Sequence, residues 1–249
     1  MSTPNDASAS PPDAPRHTLL LRLAAPMQSW GVQSRFSERD TGMEPSKSGV
    51  VGLLCAALGR PRGASIEDLA ALVMGVRVDR EGTKHYDYQT AGQDGFLRAR
   101  GKVETTNVIP SKRYYLSDAS FLVGLEGDDL DLLHTLDAAL RAPHWPLSLG
   151  RKAFPPGEPV PLPDGGVRAG TALVAALERH PWHRRPRQSP PETLRYVLER
   201  TEGRSLPDDA VVRMQPDQPL SFRPRRFTSR EVVVTWRPRP QHEAHDSSE

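Results

Sequence analysis

The chain is expected to fold as an α+β protein, with one sheet and helices packed on one of its faces. Three observations predict this. The run TLLLRL at 18–23 reads as a buried strand. Leu-rich helical spacing follows at 46–58 and again at 130–140. Short apolar or alternating segments at 76–79 and 119–125 separate the helices.

Each element has a local reason. The first strand leads into the loop AAPMQSWG. Pro45-Ser46 then opens a helix, with Ser46 as N-cap, Val50, Leu54 and Leu58 on a shared face, and Gly59 as the stop. Ser65 to Asp68 starts a second helix to about Met74, and Val76 to Asp79 alternates as a strand. Residues 84–116 are polar and contain Gly92, Gly95 and Gly101, so a long hairpin or projecting loop is expected. Ala119 to Leu125 reads as a strand. Asp128-Asp129 caps a helix whose Leu130, Leu133, Leu136 and Leu140 recur at helical spacing. Later strands are expected at 193–199, 210–214 and 231–236. A ferredoxin-like core is the economical version of this order. That fold hosts many functions and decides none by itself.

Proline marks the organisation, with 25 in 249 residues. Four lie within 1–15 among Ser, Ala and Asp, which predicts a disordered N-terminal extension. Eleven lie between Pro143 and Pro191, where regular elements must be short. The polar stretch 238–249 reads as a flexible tail, which leaves a folded body over 16–237.

The length suffices for a core without disulfides or metals. Cys55 stands alone, and no His/Cys cluster resembles a zinc or iron–sulfur site, so no cofactor is expected. The longest apolar run, Val50 to Leu58, is too short to span a membrane, and the N-terminus lacks a secretory pattern. A soluble, cytoplasmic protein is expected. The 33 basic and 31 acidic residues sum to +2, a total that speaks against a nucleic-acid binder. The charges are segregated, however. Residues 221–240 carry Arg223, Arg225, Arg226, Arg230, Arg237 and Arg239 against Glu231 alone, and 179–187 add four more Arg. Residues 126–137 hold five acids and no Lys or Arg. Such a layout suits a protein with a basic face, although capping and a solvated surface explain each segment as well. Of the basic residues 28 are Arg, the side chain that reads phosphates bidentately; a high-GC genome explains the same excess.

No Walker loop, GxGxxG, nucleophile elbow or HExxH is present. Only Lys84, His85 and Tyr86, with Tyr88, Lys112, Tyr114 and Tyr115 across the expected hairpin, gather groups suited to acid–base work. They would suit a metal-independent ribonuclease, or simply a half-exposed sheet face. Phosphate contact has more support. Ser46-Lys47-Ser48-Gly49 starts a helix, where free N–H groups and the dipole favour an anion. Leu149-Gly150-Arg151-Lys152 offers a Gly turn with adjacent cations. In Met27-Gln28-Ser29-Trp30-Gly31, Trp30 and Met27 are suited to stacking on a base and Gln28 to bonding its edge, while packing accounts for a loop Trp equally well.

In order, LRLAAPMQSWG, PSKSGVVGLLCAALG, DYQT, YYLSDASF, LGRKAFP and PRRFTSREVVV resemble the Cas-five family of CRISPR-associated proteins. The likeness is best to the type I-E branch, subunits of the surveillance complex Cascade, and covers about 18–236. The resemblance implies an α+β fold: a modified ferredoxin-like palm (RRM-type, of the RAMP superfamily) with additional C-terminal β-strands. It also implies a protruding β-hairpin thumb over 89–111. It implies a non-catalytic subunit that caps the 5′ handle of the CRISPR RNA. Implied partners are the backbone subunit beside the thumb, the large subunit, and target DNA through the assembled complex. The related type I-C branch cleaves repeat RNA with a Tyr, Lys and His set, of which His85, Tyr86 and Lys112 are loosely reminiscent; repeat cleavage is therefore the alternative activity. Carried onto this chain, the handle would lie along Met27, Gln28, Ser29, Trp30 and Gly31, then Ser46, Lys47 and Ser48. Lys112, Arg113, Gly150, Arg151 and Lys152 complete the path. Arg225, Arg226 and Arg230 would serve RNA or a protein neighbour. The N-terminal extension and the Pro/Arg-rich stretch at 180–191 depart from the family pattern.

Overall fold

Strand β1 (His17–Ala24) explains the architecture, because its successive leucines bury both faces of the strand. Leu19, Leu21 and Leu23 join one apolar cluster and Leu20 joins another. A strand of this kind needs cover on both sides. The computed structural model describes residues 16–32, 37–92, 94–98, 101–184, 189–201 and 210–240. The expected N-terminal extension at 1–15 and most of the expected tail lie outside the described residues.

After β1 come β2 (Met27–Gln28), β3 (Glu38–Arg39), α1 (Lys47–Leu58), α2 (Glu67–Ala71), β4 (Val73–Arg80) and β5 (Thr83–Ala91). Then follow β6 (Phe96–Leu97), β7 (Val103–Glu104), β8 (Ile109–Ser117), β9 (Ser120–Gly127) and α3 (Leu130–Arg141). The chain continues through β10 (Val167–Arg168), α4 (Leu173–Arg179), β11 (Thr193–Glu199), β12 (Val211–Phe222) and β13 (Arg225–Pro238).

Seven strands form one antiparallel sheet in the order β10-β1-β9-β4-β11-β13-β12. Helices α1, α2 and α3 contribute to the cluster on one face, with Val76, Val78, Phe121 and Val123 beneath them. The expectation of helices on a single face is corrected by α4. Its Leu173 and Leu177 pack with Leu122, Tyr196 and Leu198 on the other face. This approach is close because β9 carries Gly124, where a Cβ would stand 2.5 Å from Leu173 Cδ1.

The expected caps are present. Ser46 Oγ accepts from the Gly49 N–H at 3.3 Å, Gly59 ends α1 at φ +72°, and the Asp129 carboxylate accepts from the Leu132 N–H at 2.9 Å. The second helix is shorter than expected, since Val73 and Met74 enter the sheet instead. β12 and β13 are longer than expected and form a hairpin. The polar stretch is a second hairpin, β5 with β8, paired from Thr83–Ser117 out to Ala91–Ile109. Strands β2 and β3 take the other edge of β8.

Three buried charges and the half-buried Glu199 tie α1 to the C-terminal strands. Lys47 Nζ lies 3.0 Å from both Glu199 oxygens, and the Lys47 backbone N–H donates to Asp217 Oδ2 at 2.7 Å. Arg230 donates to Asp217 through Nε at 2.7 Å and Nη2 at 3.1 Å, and to Glu199 through Nη1 at 3.1 Å. The Met74 N–H adds a 3.0 Å bond to Glu199. Burial lowers the Lys47 pKa, and Glu199 opposes that shift. Two cations thus balance two carboxylates. Removing one partner of such a cluster leaves a buried charge uncompensated, so Arg230→Met is expected to destabilise the fold by about 3–5 kcal/mol. Urea denaturation checks this; a loss below about 1 kcal/mol would show the cluster to be dispensable.

Candidate nucleic-acid interface

The loop leaving β1 is folded by its own polar side chains. Gln28 Nε2 donates to the Ala119 carbonyl at 2.8 Å, and its Oε1 accepts from Trp30 Nε1 at 3.0 Å. Trp30 is buried against the first turn of α1, where a Cβ on Gly49 would stand 2.9 Å from its ring. Ser29 Oγ donates to the Tyr114 carbonyl at 3.1 Å, and its N–H donates to Leu149 O at 3.0 Å. That last bond brings in the turn 149–154, which is closed by Leu149 N–H to Phe154 O at 2.8 Å. Gly150 sits at φ +91° with the Ser29 carbonyl so close that a Cβ would stand 1.7 Å from it.

This packing delivers Arg151 beside two other arginines. Its Nη2 donates to the Arg39 carbonyl at 3.0 Å, and its guanidinium lies 5.7 Å from the Phe154 ring centroid. Arg39 on β3 is in register with Arg113 on β8. Burial first, and then the Arg113 charge, lower the Arg151 pKa; Arg39 adds to this while Asp40 and Asp87 oppose it. Three guanidinium groups thus share one small region, with Lys152 exposed next to Arg151 and Gly31 exposed on the adjoining loop. A cation held down by burial and by cationic neighbours, as Arg151 is, is stabilised by an incoming anion.

The structure therefore brings together Ser29, Gly31, Arg113, Gly150, Arg151 and Lys152. Met27 is half-buried at the start of the same loop. Lys112 lies one residue before Arg113 and points to the other side of the hairpin, its Nζ 5.5 Å from the Tyr86 ring centroid.

Six residues are corrected, Ser29 among them: it is buried, with its Oγ committed to the Tyr114 carbonyl. Gln28 and Trp30 are buried and bonded to each other or to backbone, so neither presents an edge or face to a base. Ser46 is the α1 cap and is buried. Lys47 and Arg230 belong to the internal charge cluster, and the N-terminus of α1 is met by the Asp217 carboxylate rather than left open. Ser48 is half-buried with its Oγ 3.5 Å from that of Ser46. Arg225 and Arg226 are exposed on the β12–β13 hairpin, where the Arg225 guanidinium lies 5.6 Å from the Phe227 ring centroid. Arg39 was not anticipated. Its signal was a basic residue in the polar stretch that follows Trp30.

The candidate catalytic set does not converge. His85 lies opposite Tyr115, whereas Tyr86 lies opposite Tyr114 and next to Lys112. Adjacent strand residues face opposite ways, which separates the imidazole from the Tyr86–Lys112 pair.

Residues 18–237 match the family model described as CRISPR-associated protein (Cas_Cas5). The chain is 31% identical over 234 residues to "CRISPR system Cascade subunit CasD" of Escherichia coli (strain K12), covering 88% of this chain and 96% of that protein. A solved structure described as "CRISPR RNA-guided surveillance complex" contains a similar chain, at TM-score 0.71 and 32% identity. That match covers 90% of this chain and 91% of the other. A second, "Crystal structure of Cas protein", gives TM-score 0.68 at 45% identity, covering 89% and 95%.

The Gly150 contact is testable in isolation. Gly150→Ala adds left-handed strain and a clash with the Ser29 carbonyl, for an expected cost of about 1–3 kcal/mol. A fall of several degrees in Tm, with shifted Ser29 and Arg151 amide resonances, would be the signature; unchanged resonances would refute the packing described.

Proposed function

The chain belongs to the Cas-five family of CRISPR-associated proteins, and on that premise we propose that it is the RNA-binding subunit of a type I-E Cascade complex. In this reading it caps the 5′ handle of the guide RNA without cutting it and acts in the cytoplasm. The carrying observation is the convergence of Arg39, Arg113 and Arg151, with Lys152, on the loop after β1. Backbone phosphates are the natural ligand of such a group, because guanidinium forks pair with them bidentately and release counterions on binding. The exposed Gly31 allows a strand to approach the backbone closely.

The remaining surfaces suit an assembly. The order β10-β1-β9-β4, with α1 and α3 as the connecting helices, supports a ferredoxin-like palm of the RAMP type, and β11 to β13 supply the additional C-terminal strands. The β5–β8 hairpin is the thumb in this reading. Leu97 and Val103 near its far end are 73% and 64% exposed, which favours a protein neighbour such as the backbone subunit. The large subunit and target DNA are met through the assembled complex. The divergence of His85 from Tyr86 and Lys112 favours a non-catalytic role. Among the described residues, no helix is long and apolar enough to cross a membrane.

Two measurements test the proposal. Arg151→Ala combined with Lys152→Ala is expected to weaken guide-RNA retention in the assembled complex about tenfold, and to reduce the salt slope by about two. Unchanged retention with an unchanged slope would remove this site. Deleting residues 90–110 is expected to leave the isolated chain folded by circular dichroism while abolishing incorporation into the complex. Normal incorporation would detach the hairpin from assembly.

A further inference from the structure

On the face of the sheet opposite α1, a pocket of about 620 Å³ opens between β1 and the segment that follows α4. Arg22, Asp164, His180, Trp182, His183 and Arg184 line it, together with two prolines. Its wall is firmly built. Arg77 is fully buried, pairs with Asp79 at 2.7 Å, and donates to the carbonyls of Leu177, His180 and Pro181. Trp182 Nε1 donates to the Asp79 carbonyl at 3.1 Å. The chain from Leu177 to Trp182 is therefore pinned to β4.

The cations at this wall are under-committed. Arg22 Nε is buried with no hydrogen-bond partner among the described residues, and its nearest carboxylate, Glu158, stands 3.9 Å from Nη1. Glu158 is shared with His183 Nε2 at 3.1 Å, and Asp164 is already engaged by Arg168 at 2.9 Å. Arg184 is exposed at the rim, and Arg179 is exposed at the end of α4. Burial and neighbouring arginines, Arg22 among them, lower the pKa of both histidines, that of His180 to about 4. The pocket thus combines the Arg22 and Arg184 guanidinium groups with apolar walls that weaken screening.

We propose that this pocket is a phosphate-binding site, in which Arg22 and Arg184 grip a phosphate oxyanion at a place separate from the Arg39–Arg113–Arg151 cluster. The phosphate belongs either to a free nucleotide or to a nucleic-acid strand. The exposed Arg179 at the end of α4 favours the strand, since it carries positive charge outside the residues that line the pocket.

The test follows the ring resonances of His180 and His183 in the full-length chain by NMR. Inorganic phosphate, thymidine monophosphate and a short oligothymidylate are titrated in turn. Saturable shifts are expected, with the His180 pKa rising by about one unit as the anion neutralises its surroundings. Arg184→Ala, a surface change, should weaken binding about threefold or more, and Arg22→Gln should abolish it. The Arg151→Ala, Lys152→Ala variant should bind as the unmodified chain does, so failure here is distinguishable from failure of the handle reading. Tighter binding of the oligonucleotide by about tenfold identifies a strand as the source; equal affinities identify a free phosphate group. Absence of any saturable shift, or shifts that persist unchanged in Arg184→Ala, would overturn the proposal.

Discussion

The pairing of Lys47 and Arg230 with Glu199 and Asp217 is the constraint on which the rest of the structure depends. Three charges withdrawn from water, with Glu199 at their edge, must be paired or the fold loses several kcal/mol, about 3–5 for one missing partner. Satisfying them fixes the start of α1 against β11, β12 and β13 at once. With that start fixed, Gly49 receives the Trp30 ring, and Trp30 in turn orients Gln28 through the 3.0 Å bond between their side chains. The loop after β1 therefore takes its shape from a contact made near the other end of the sequence.

From that loop the chain of causes runs to the exposed cations. Ser29 accepts the Gly150 turn at a distance only glycine permits, and the turn sets Arg151 over Phe154 and beside Arg39. Arg113 arrives separately, through the register of β3 with β8. Three arginines from three segments end in one region with Asp40 and Asp87 as the acids that temper them. A formal charge of +2 over the whole chain is compatible with this, because what binds an anion is the local arrangement and not the sum.

Much of the fold was legible because its signals are local. Ser46, Gly59 and Asp129 announced their helices, and the apolar run of β1 and the alternation of Val76 to Asp79 in β4 announced their strands. Helix α4 was not legible. It has seven residues set between proline-rich stretches, and its counterparts are glycines in distant strands. The site was legible in place but not in role. Lys47 and Trp30 read as ligands for an anion and a base, since nothing local tells that Glu199 lies 152 residues on or that Gly49 makes room for an indole. Gly150 reads as a turn from the sequence; what comes close to it is the Ser29 carbonyl. Arg39 escaped notice because a two-residue parallel strand leaves no periodicity to read.

Strand β8 carries more than its length suggests. One edge holds the whole of β5, and the other holds β2 and β3. The β5–β8 hairpin and the Arg39–Arg113 pair therefore share a single backbone. The same nine residues that pair with β5 along one edge hold Arg39 in register with Arg113 along the other.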